Sequence, residues 1–379
     1  MMELEGVNLT TYFLGLLAGL LCYKFFKLHW TVKLPGPRRW PFLGTMLSFD
    51  MARMMHDDQL LDVARRYGDI CALRAFGEDF ILLNSYDVIR EAAILKPMDF
   101  VNRKLGHGFT WKQVDPHGHG IANADFERIR EVRSASLSIF RDLGVGRATM
   151  EDIVDEEARI LLDQFQSEDS KSFNPRNFIT FAAFNVIMHV TIKKHFDAND
   201  EETKKFLREC YSSFSSGRYI ILLDLLPFLR YVPFFKNRFH EIVDGCLNVK
   251  DFMTKHAAPA LDKFREKEVE CDAQSYAEAY TAKYGFDSYE VKTVLPQTYI
   301  QFLFAGTETT TTSLLWTLCL LANRPNIQQK LHEALFDILG ESGHYRLSCK
   351  IPYLDAVVWE IQRFCSIIPI ALPHAASSK

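Results

Sequence analysis

The 379-residue sequence lacks the short motifs of several large enzyme classes. It has no P-loop and no GxGxxG, so nothing in it indicates nucleotide binding of those types. The run GESG at 340–343 misses the GxSxG spacing of a hydrolase nucleophile elbow. His240 and His332 each precede a glutamate but lack the second histidine of a metalloprotease helix. Hydrolase and nucleotide-binding functions therefore find no support.

The net charge and the cysteine spacing also exclude some kinds of partner and site. The formal net charge of −4 gives no reason to expect nucleic acid as a partner. None of the eight cysteines forms a CxxC, a pattern that suits reduced thiols on the cytosolic side of a membrane. His117 and His119 flank a glycine without a third ligand nearby, so we interpret them as loop residues and predict no metal site.

A cleaved signal peptide carries positive charge before its apolar run, and the N-terminus of this sequence has none there. Glu3 and Glu5 precede the uncharged stretch 7–23, and Lys24 and Lys27 follow it. With the apolar residues around those lysines, the stretch approaches the ~20 residues that span a bilayer. By the positive-inside rule, we predict an uncleaved single-pass anchor over 1–30, with everything after it in the cytosol.

A proline-rich hinge and one large domain are predicted after the anchor. The segment 31–44 holds three prolines, which fix an extended backbone, and we predict that 45–379 forms one large domain, which the family resemblance described below identifies as a catalytic domain incomplete at its C-terminus. A hairpin is predicted from 69–73 and 80–84, and almost everything else has helical periodicity. The class is therefore mainly α with a small β portion. Predicted helices cover 58–67, 88–95, 125–140, 150–166, 177–192, 201–214, 234–255, 259–268, 291–323 and 353–364.

The helix predicted over 291–323 is apolar but contains a carboxylate and four consecutive threonines. Asp287 and Glu290 predict a capping box at its start. Burying Glu308 without a partner would be costly, and a threonine run is a poor helix former. One interpretation is a polar patch that faces solvent or a neighbouring domain. The other is a helix that crosses a buried site, kinked or opened at the threonines and Gly306, with Glu308 and Thr309 directed at a ligand.

A second charged pattern lies in the helix predicted over 353–364. Glu360 and Arg363 are spaced i and i+3, which places them on one helix face. An exposed surface pair is one interpretation, and such pairs contribute little. The flanking Ile, Val, Trp and Phe residues favour a buried pair instead. The arginine-rich start of the helix at 125–140 is interpreted mainly as a solvated face.

Together these stretches resemble a microsomal cytochrome P-450 of the family 2 type, over essentially the whole chain. The proline-rich segment resembles the hinge after the membrane anchor, and AGTETT at 305–310 resembles the oxygen-activation motif. Glu360 and Arg363 match the ExxR motif, and the run through Leu372 to His374 matches the segment after it. The resemblance implies a cytochrome P-450 fold lacking its C-terminal part, preceded by the N-terminal transmembrane anchor.

The resemblance also assigns roles to residues near an expected haem. It implies that Thr309 hydrogen-bonds the oxygen being activated and that Glu308 helps to relay protons. Arg130, His374 and, less directly, Arg103 would contact haem propionates. The tryptophan of the family's WxxxR motif is replaced by phenylalanine, so one propionate donor is lost. The cofactor-binding set is Arg103, Phe126, Arg130, Ala305, Gly306 and His374.

Substrate and partners are implied in the same way. The substrate pocket would be apolar, and the region 222–235 resembles a membrane-dipping lid. Expected cofactors are haem and, through a reductase, NADPH; expected partners are the NADPH-dependent cytochrome P-450 reductase and optionally cytochrome b5. The expected location is the endoplasmic reticulum membrane, with the catalytic domain in the cytosol. The predicted pocket residues are Phe109, Phe302, Phe304, Ile368, Ile370 and Leu372.

The sequence departs from the family after His374, where AASSK replaces the family's final quarter. It contains no FxxGxRxCxG loop, so we expect no axial cysteine, and Cys365 is interpreted as a packing residue. Because the thiolate promotes O–O cleavage, we expect the chain as written not to hydroxylate a substrate. Three hypotheses follow. They are a haem-thiolate monooxygenase represented by an incomplete chain, an inactive membrane-anchored isoform that binds partners, and a membrane-tethered helical carrier for hydrophobic ligands.

Overall fold

The structure is a computed structural model. It describes residues 9–30, 33–40, 43–49, 57–75, 78–103, 108–124, 126–146, 148–169, 171–266, 273–341, 343–346, 348–369 and 371–376. The chain divides into two compact units. The first comprises Met1–Val101 with Leu225–Pro227 and Ala376–Lys379, and the second comprises Asn102–Asp224 and Phe228–Ala375. The domain boundaries predicted from the sequence stay predictions.

The first unit contains the predicted hairpin. Strands β1 (Ile70–Ala75) and β2 (Glu78–Leu83) are antiparallel, with Ile70 opposite Leu83 and Ala75 opposite Glu78. The small buried side chains of Cys71 and Ala72 lie on β1, so this strand forms part of the unit's interior. The elements of this unit are helix α1 (Leu9–Trp30), a 3-10 turn (Met46–Ser48), α2 (Asp57–Tyr67), β1 (Ile70–Ala75), β2 (Glu78–Leu83), α3 (Tyr86–Arg90), a π turn (Glu91–Leu95) and a 3-10 turn (Pro97–Phe100).

The proline-rich segment lies along β1. The Ala72 backbone N–H donates to the Pro35 carbonyl at 2.8 Å. A Cβ on Gly36 would lie 2.1 Å from the Ala72 carbonyl oxygen, so only glycine permits this approach. Gly44 has φ of +64°, and a Cβ there would lie 2.1 Å from the Arg74 carbonyl oxygen. The described residues of the segment, 33–40 and 43–44, thus include close neighbours of the sheet, and the role of the segment as a hinge stays a prediction.

Helix α1 carries exposed apolar side chains in its described part, with Phe13 68% and Leu16 67% exposed. None of the helices was found to be both long and apolar enough to cross a bilayer when the described residues were searched. The single-pass anchor over 1–30 therefore stays a prediction.

The second unit is helical throughout its named elements. Six of its eleven named helices begin and end within four residues of the predicted bounds, one joins two predicted helices, and four short or intermediate helices, at 109–114, 220–225, 276–284 and 325–339, were not predicted. They are α4 (Phe109–Val114), α5 (Phe126–Asp142), α6 (Ala148–Ser167), α7 (Arg176–Ile192), α8 (Glu201–Ser216), α9 (Ile220–Leu225), α10 (Pro233–Glu266), α11 (Tyr276–Tyr284), α12 (Leu295–Ala322), α13 (Pro325–Leu339) and α14 (Pro352–Cys365). Turns at Gly217–Tyr219 and Pro227–Tyr231 flank α9, and a π turn at Glu290–Val294 precedes α12.

Helix α10 corrects one predicted boundary. The sequence predicts separate helices before and after Pro259, but α10 is continuous and contains this proline. The preceding turns bury Met253 and Ala257 in the core. Packing of that apolar face outweighs the local cost of one missing N–H donor, so the helix continues.

The core of the second unit lies around α7, which contacts both α6 and α12. Phe184 and Met188 of α7 are fully buried, and Tyr299 and Ile300 of α12 are each only 1% exposed. Lys193 ends α7 in the left-handed conformation, with φ of +50°. Helix α12 is therefore held at its N-terminal half by a well-packed neighbour.

The predicted capping box at the start of the central helix is wrong. The Val291 N–H donates to the Ser288 hydroxyl at 3.2 Å, so Ser288 supplies the capping oxygen. Asp287 instead forms ion pairs with Arg265 and Lys292, each at 3.0 Å. Glu290 binds the guanidinium of a distant arginine, which draws its carboxylate away from the helix start. Ion pairs with residues elsewhere in the chain therefore outweighed the local capping interaction that the motif predicts.

Candidate functional site

The threonine-rich stretch of α12 is regular helix. The Thr309 hydroxyl donates to the Ala305 carbonyl at 2.5 Å, and the Thr311 hydroxyl donates to the Thr307 carbonyl at 2.8 Å. Ser313 repeats the pattern on the Thr309 carbonyl at 2.8 Å. These side chains satisfy themselves on their own backbone, so the helix continues through the stretch without an interruption. The predicted opening at the threonines is not observed.

Gly306 contributes close packing. A Cβ at this position would lie 2.3 Å from Ile187 Cδ1 and 2.7 Å from its Cγ1. The glycine therefore lets α7 approach α12 more closely than any other residue would. Its predicted contact with a cofactor stays a prediction, as does that of Ala305, which is exposed.

Glu308 is directed toward α7. Its Oε1 accepts from Arg176 Nη1 at 3.1 Å and from the Thr312 hydroxyl at 3.3 Å. The Glu308 side chain is 17% exposed and that of Arg176 is 31% exposed, so the pair is partly buried. No hydrogen bond joins Glu308 to Thr309 within the described residues. The predicted acid and alcohol are neighbours in sequence, but their side chains bond to different groups.

A small cavity lies beside Glu308, between α7, α8 and α12. The Thr307 hydroxyl lines it and is buried without a hydrogen-bond partner. Phe304 lines the same cavity and packs against Phe214, with ring centroids 6.2 Å apart. The space open to a water-sized sphere is about 30 Å³. It can hold a water molecule between two polar groups.

Arg103 forms a second candidate site with the segment that follows α14. Its Nη1 donates to the Leu372 and Pro373 carbonyls, each at 3.2 Å. The Ala375 N–H donates to the Asn102 carbonyl at 2.6 Å and fixes the two segments side by side. Residues 102–103 and 372–375 are therefore neighbours although they are far apart in sequence.

The guanidinium of Arg103 lacks an anionic partner among the described residues. Its Nε is buried without a hydrogen-bond partner. Burial, together with the nearby charge of Arg133, lowers the pKa of Arg103 from its usual value. A partly buried cation next to a second cation favours binding of an anion such as a carboxylate.

The other predicted propionate contacts are less defined. His374 is exposed in the segment that Arg103 holds, and it has interactions of its own. Arg130 is exposed on α5. The side chain of Phe126 lies outside the described residues. The structure thus places Arg103 and His374 in adjacent segments, and the roles of all four residues stay predictions.

The predicted pocket residues do not share one location. Phe302 packs into the core, 5.0 Å from the Phe140 ring and 4.9 Å from the Tyr276 ring, measured between centroids. Phe304 faces α8 and the small cavity instead. Ile368 and Leu372 are exposed. The side chain of Phe109 and the whole of Ile370 lie outside the described residues.

The interpretation of the ExxR pair as buried is wrong for this structure. Arg363 Nε and Nη2 donate to the two oxygens of Glu360 at 2.7 and 2.8 Å, which forms the expected i,i+3 pair. However, Glu360 is 61% exposed and Arg363 is 70% exposed. Trp359 is 72% exposed too, so its apolar character did not bury the face. Helix α14 buries Ile361 alone among its described side chains.

Sequence reasoning missed Arg176 because the contact is long-range. Arg176 is the first residue of α7 and lies 132 positions before Glu308. Nothing local in its surroundings predicts a partner in α12. The only sequence signal was indirect, because a carboxylate in an apolar helix requires a cation from somewhere.

Comparison with known proteins gives a consistent result. Residues 34–379 match the family model described as Cytochrome P450. Mouse (Mus musculus) "Cytochrome P450 2C44" is 29% identical over 355 residues, covering 90% of this chain and 69% of that protein. Rat (Rattus norvegicus) "Cytochrome P450 2D26" is 28% identical over 360 residues, covering 94% of this chain and 71% of that protein. Rat "Cytochrome P450 2B15" is 27% identical over 386 residues, covering 100% of this chain and 76% of that protein.

These relatives belong to the microsomal family 2 group that the sequence motifs resemble. The matched region contains the α12 stretch, Arg103 and the ExxR pair. The chain therefore belongs to the cytochrome P450 family of haem-dependent monooxygenases.

Proposed function

We propose that this chain is a haem-dependent monooxygenase that inserts one oxygen atom of O2 into a small apolar organic substrate. The observation that carries the proposal is Arg103, a partly buried guanidinium without an anionic partner among the described residues. It lies beside the segment 372–375 in a chain whose family uses haem. A haem propionate is the anion that this site fits.

The residues present fit the propionate side of a haem. Arg103 has a buried N–H free to donate, and its two carbonyl contacts already fix the orientation of the guanidinium. A carboxylate at this point would restore a paired charge. Arg130 and His374 would add further donors, as the family resemblance implies. Haem, when bound, supplies the iron at which O2 is activated.

The α12 residues supply a hydroxyl and a carboxylate to the same reaction. Thr309 carries a hydroxyl that can exchange its bond to the Ala305 carbonyl for one to a ligand. Glu308 carries a carboxylate that can hold and release a proton. Phe302 and Phe304 of the same helix pack against the hydrophobic core.

Three of the described cysteines, Cys210, Cys246 and Cys365, do not fit the axial sulfur ligand. Burial raises the pKa of the Cys246 thiol to about 12 and raises that of Cys210 as well, which disfavours the thiolate form. Burial also raises the pKa of Cys365, with a smaller contribution from Cys319. These three residues therefore do not supply a thiolate ligand.

This observation favours a second candidate function. A chain that does not ligate haem iron through sulfur would act as a membrane-anchored binding protein. The exposed apolar side chains of α14, such as Trp359, would suit protein contacts in that case.

The remaining proposals concern location and partners. The exposed apolar residues of α1 and the lysines after residue 23 support attachment to the endoplasmic reticulum membrane through 1–30. The domain would then face the cytosol, where the NADPH-dependent reductase and cytochrome b5 would donate electrons.

Haem titration and a reduced, carbon-monoxide-bound spectrum test the proposal. We expect the chain to bind haem and Arg103→Gln to weaken that binding. A Soret band typical of a thiolate-ligated iron would support the monooxygenase proposal. Arg141→Gln, an exposed change on α5, serves as the control. Absence of the thiolate band would overturn the monooxygenase proposal and favour the binding protein.

A further inference from the structure

We propose that Cys319 and Cys365 form a reversible disulfide that joins the C-terminal ends of α12 and α14, with a low-molecular-weight disulfide such as glutathione disulfide as the oxidant. This modification site goes beyond the monooxygenase proposal and requires no haem. It connects the helix of the threonine-rich stretch to the helix of the ExxR pair when the surroundings become oxidising.

The two thiols lie at neighbouring helix ends. Cys319 is in the last turn of α12, and Cys365 is the last residue of α14. The two helices contact each other, and the Arg324 guanidinium just after α12 lies 5.7 Å from the centre of the Phe364 ring. Burial raises the pKa of Cys365, and the nearby Cys319 thiol raises it further. The two sulfurs are therefore within electrostatic range of each other.

Both thiols are accessible to a small molecule. Cys319 is exposed and Cys365 is partly exposed, whereas Cys71 and Cys246 are buried. Structural cysteines in the interior are inert, because an oxidant cannot reach the sulfur and burial disfavours the thiolate. Cys319 and Cys365 combine solvent access with a neighbouring thiol, which is the arrangement of a redox-sensing pair.

Cys319 is the thiol that reacts first. It is the more exposed of the two, and the Asn323 Nδ2 donates a weak hydrogen bond to its sulfur at 3.9 Å. The same amide nitrogen donates to the Cys319 carbonyl at 2.8 Å, which holds it beside the sulfur. A donor in this place stabilises the negative charge of the attacking sulfur. Cys365, whose pKa is raised, then acts as the resolving cysteine.

The reaction consists of two thiol–disulfide exchanges. The Cys319 thiolate attacks one sulfur of glutathione disulfide, the S–S bond of the oxidant breaks, and one glutathione thiolate leaves with the electron pair. Cys365 loses its proton and attacks the Cys319 sulfur of the mixed disulfide, and the second glutathione thiolate leaves. The two leaving thiolates take up two protons from solvent, which replace those that the cysteines release. Two protein thiols are thus oxidised, and one glutathione disulfide is reduced.

The end of α14 can adjust to the geometry of a disulfide, whose Cα atoms are usually about 4.4–6.8 Å apart. Cys365 ends its helix, and Ser366 after it has a left-handed φ of +39°. Helix α14 buries Ile361 alone among its described side chains. Few core contacts therefore hold its last turn, and a segment of this kind moves at low cost in free energy.

Two unrelated packing residues are the simpler explanation, because free cysteine commonly serves as a small apolar core residue. Cys319 does not fit this explanation, since it is exposed. Disulfides in the cytosol, where we expect this domain, are mostly transient and redox-sensing. We therefore expect the reduced pair to be the resting form and the disulfide to form under oxidising conditions.

Incubation of the 379-residue protein in glutathione buffers of increasing oxidised-to-reduced ratio tests the proposal. Trypsin separates the two cysteines, since Lys330 and Arg363 lie between them, so mass spectrometry of the alkylated digest detects the cross-linked peptide. We expect this peptide to increase with the ratio and to disappear when reduced glutathione is restored. Its absence at every ratio, or preferred pairing of Cys319 with another cysteine, would overturn the proposal.

Serine variants test the order of the two steps. In Cys365→Ser, we expect Cys319 to accumulate as a mixed disulfide with glutathione. In Cys319→Ser, we expect Cys365 to be modified about tenfold more slowly than Cys319 in the wild type. Cys349→Ser removes another partly exposed thiol and should leave the yield of the cross-link unchanged. Faster modification of Cys365 than of Cys319 would overturn the assigned roles.

The same incubation in concentrated urea separates pairing directed by the fold from random oxidation. The wild-type protein is used, so this measurement does not depend on the folding of any variant. Unfolding disperses the two helix ends, and we expect the yield of the Cys319–Cys365 peptide to fall to that of other cysteine pairs. An equal yield in the folded and unfolded protein would show that the fold does not bring these thiols together, and it would overturn the proposal.

Discussion

Helices α7 and α14 both contact α12, and each contributes to a Glu–Arg ion pair. Each pair contains a residue of one of the two sequence motifs. Arg176 of α7 binds Glu308 of the neighbouring helix, and the two side chains are 31% and 17% exposed. On α14, Glu360 and Arg363 bind each other within one helix and are 61% and 70% exposed.

The difference shows that the setting, more than the chemistry, decides the value of an ion pair. A pair within one helix forms wherever the i,i+3 spacing occurs, and solvent screens it when the helix face is open. A pair between helices forms only when the fold brings both partners together. Around α7 the neighbours exclude water, whereas the described side chains of α14 are mostly exposed.

Truncation of a ring tests this contrast most strongly. Phe184→Ala on α7 removes a fully buried ring and should lower the free energy of unfolding by about 3–5 kcal/mol. Phe364→Ala on α14 removes a ring that is 54% exposed and should change it by less than about 0.5 kcal/mol. Urea unfolding followed by circular dichroism measures both. Equal losses would contradict the contrast.

A larger side chain at Gly306 should separate α7 from α12. Gly306→Val places a branched side chain against Ile187, and we expect a loss of about 1–3 kcal/mol in the free energy of unfolding. Ile187→Ala in the same chain should recover part of that loss, because it vacates the contact. Thermal unfolding of the single and double variants measures the coupling. Simple additivity of the two losses would show that the contact is not limiting.

Removal of each arginine compares the pairs directly. Arg176→Gln leaves a partly buried carboxylate without its cation and should cost about 1–2 kcal/mol of stability. Arg363→Gln should produce no measurable change, since solvent reaches both partners. Chemical denaturation at low and high salt checks both statements. An effect of Arg363→Gln as large as that of Arg176→Gln would remove the distinction.

The smallest expected effect concerns how the free energy of unfolding depends on pH. A buried glutamate on α6, next to α7, and an exposed one on α14 should contribute with opposite signs. Burial raises the pKa of Glu157 on α6, despite the opposing charge of His195, so the folded state binds its proton more tightly than the unfolded state. Its contribution favours folding at low pH and decreases as the pH rises above 4.5 toward the raised value.

The hydrogen bond from Arg363 lowers the pKa of Glu360, and its contribution has the reverse dependence. That stability is present above the ordinary value of 4.5 and is lost as the pH falls through the lowered value. Unfolding free energies of Glu157→Gln and Glu360→Gln, each subtracted from the wild type between pH 3 and about 7, should therefore have opposite slopes. Parallel difference curves would contradict both assignments.

Local elements of the fold were predictable because their signals are local. Periodicity predicted α7 over 177–192 against the observed Arg176–Ile192, and alternation predicted the hairpin within about two residues at each end. The family motif singles out Glu308 and Thr309 from local sequence alone, and their roles stay predictions. These predictions depend on residues that lie within one or two turns of each other.

The remaining features depend on contacts between distant segments. Pro259 did not end α10, because burial of the helix face outweighed the missing donor. Glu290 left its predicted cap to bind a distant arginine. The partner of Glu308, and the solvent exposure of Glu360, also required the positions of other helices. Sequence periodicity contains no information on such partners.

The bond from Thr309 to Ala305 has one further consequence. A hydroxyl that already donates to its own helix must give up one acceptor to gain another, so the net strength of a new contact is a difference between two hydrogen bonds. Weak acceptors would leave the hydroxyl in place, and only a strongly charged acceptor would draw it away. The threonine would then act as a threshold, responding to developing negative charge and ignoring neutral groups that approach the same face.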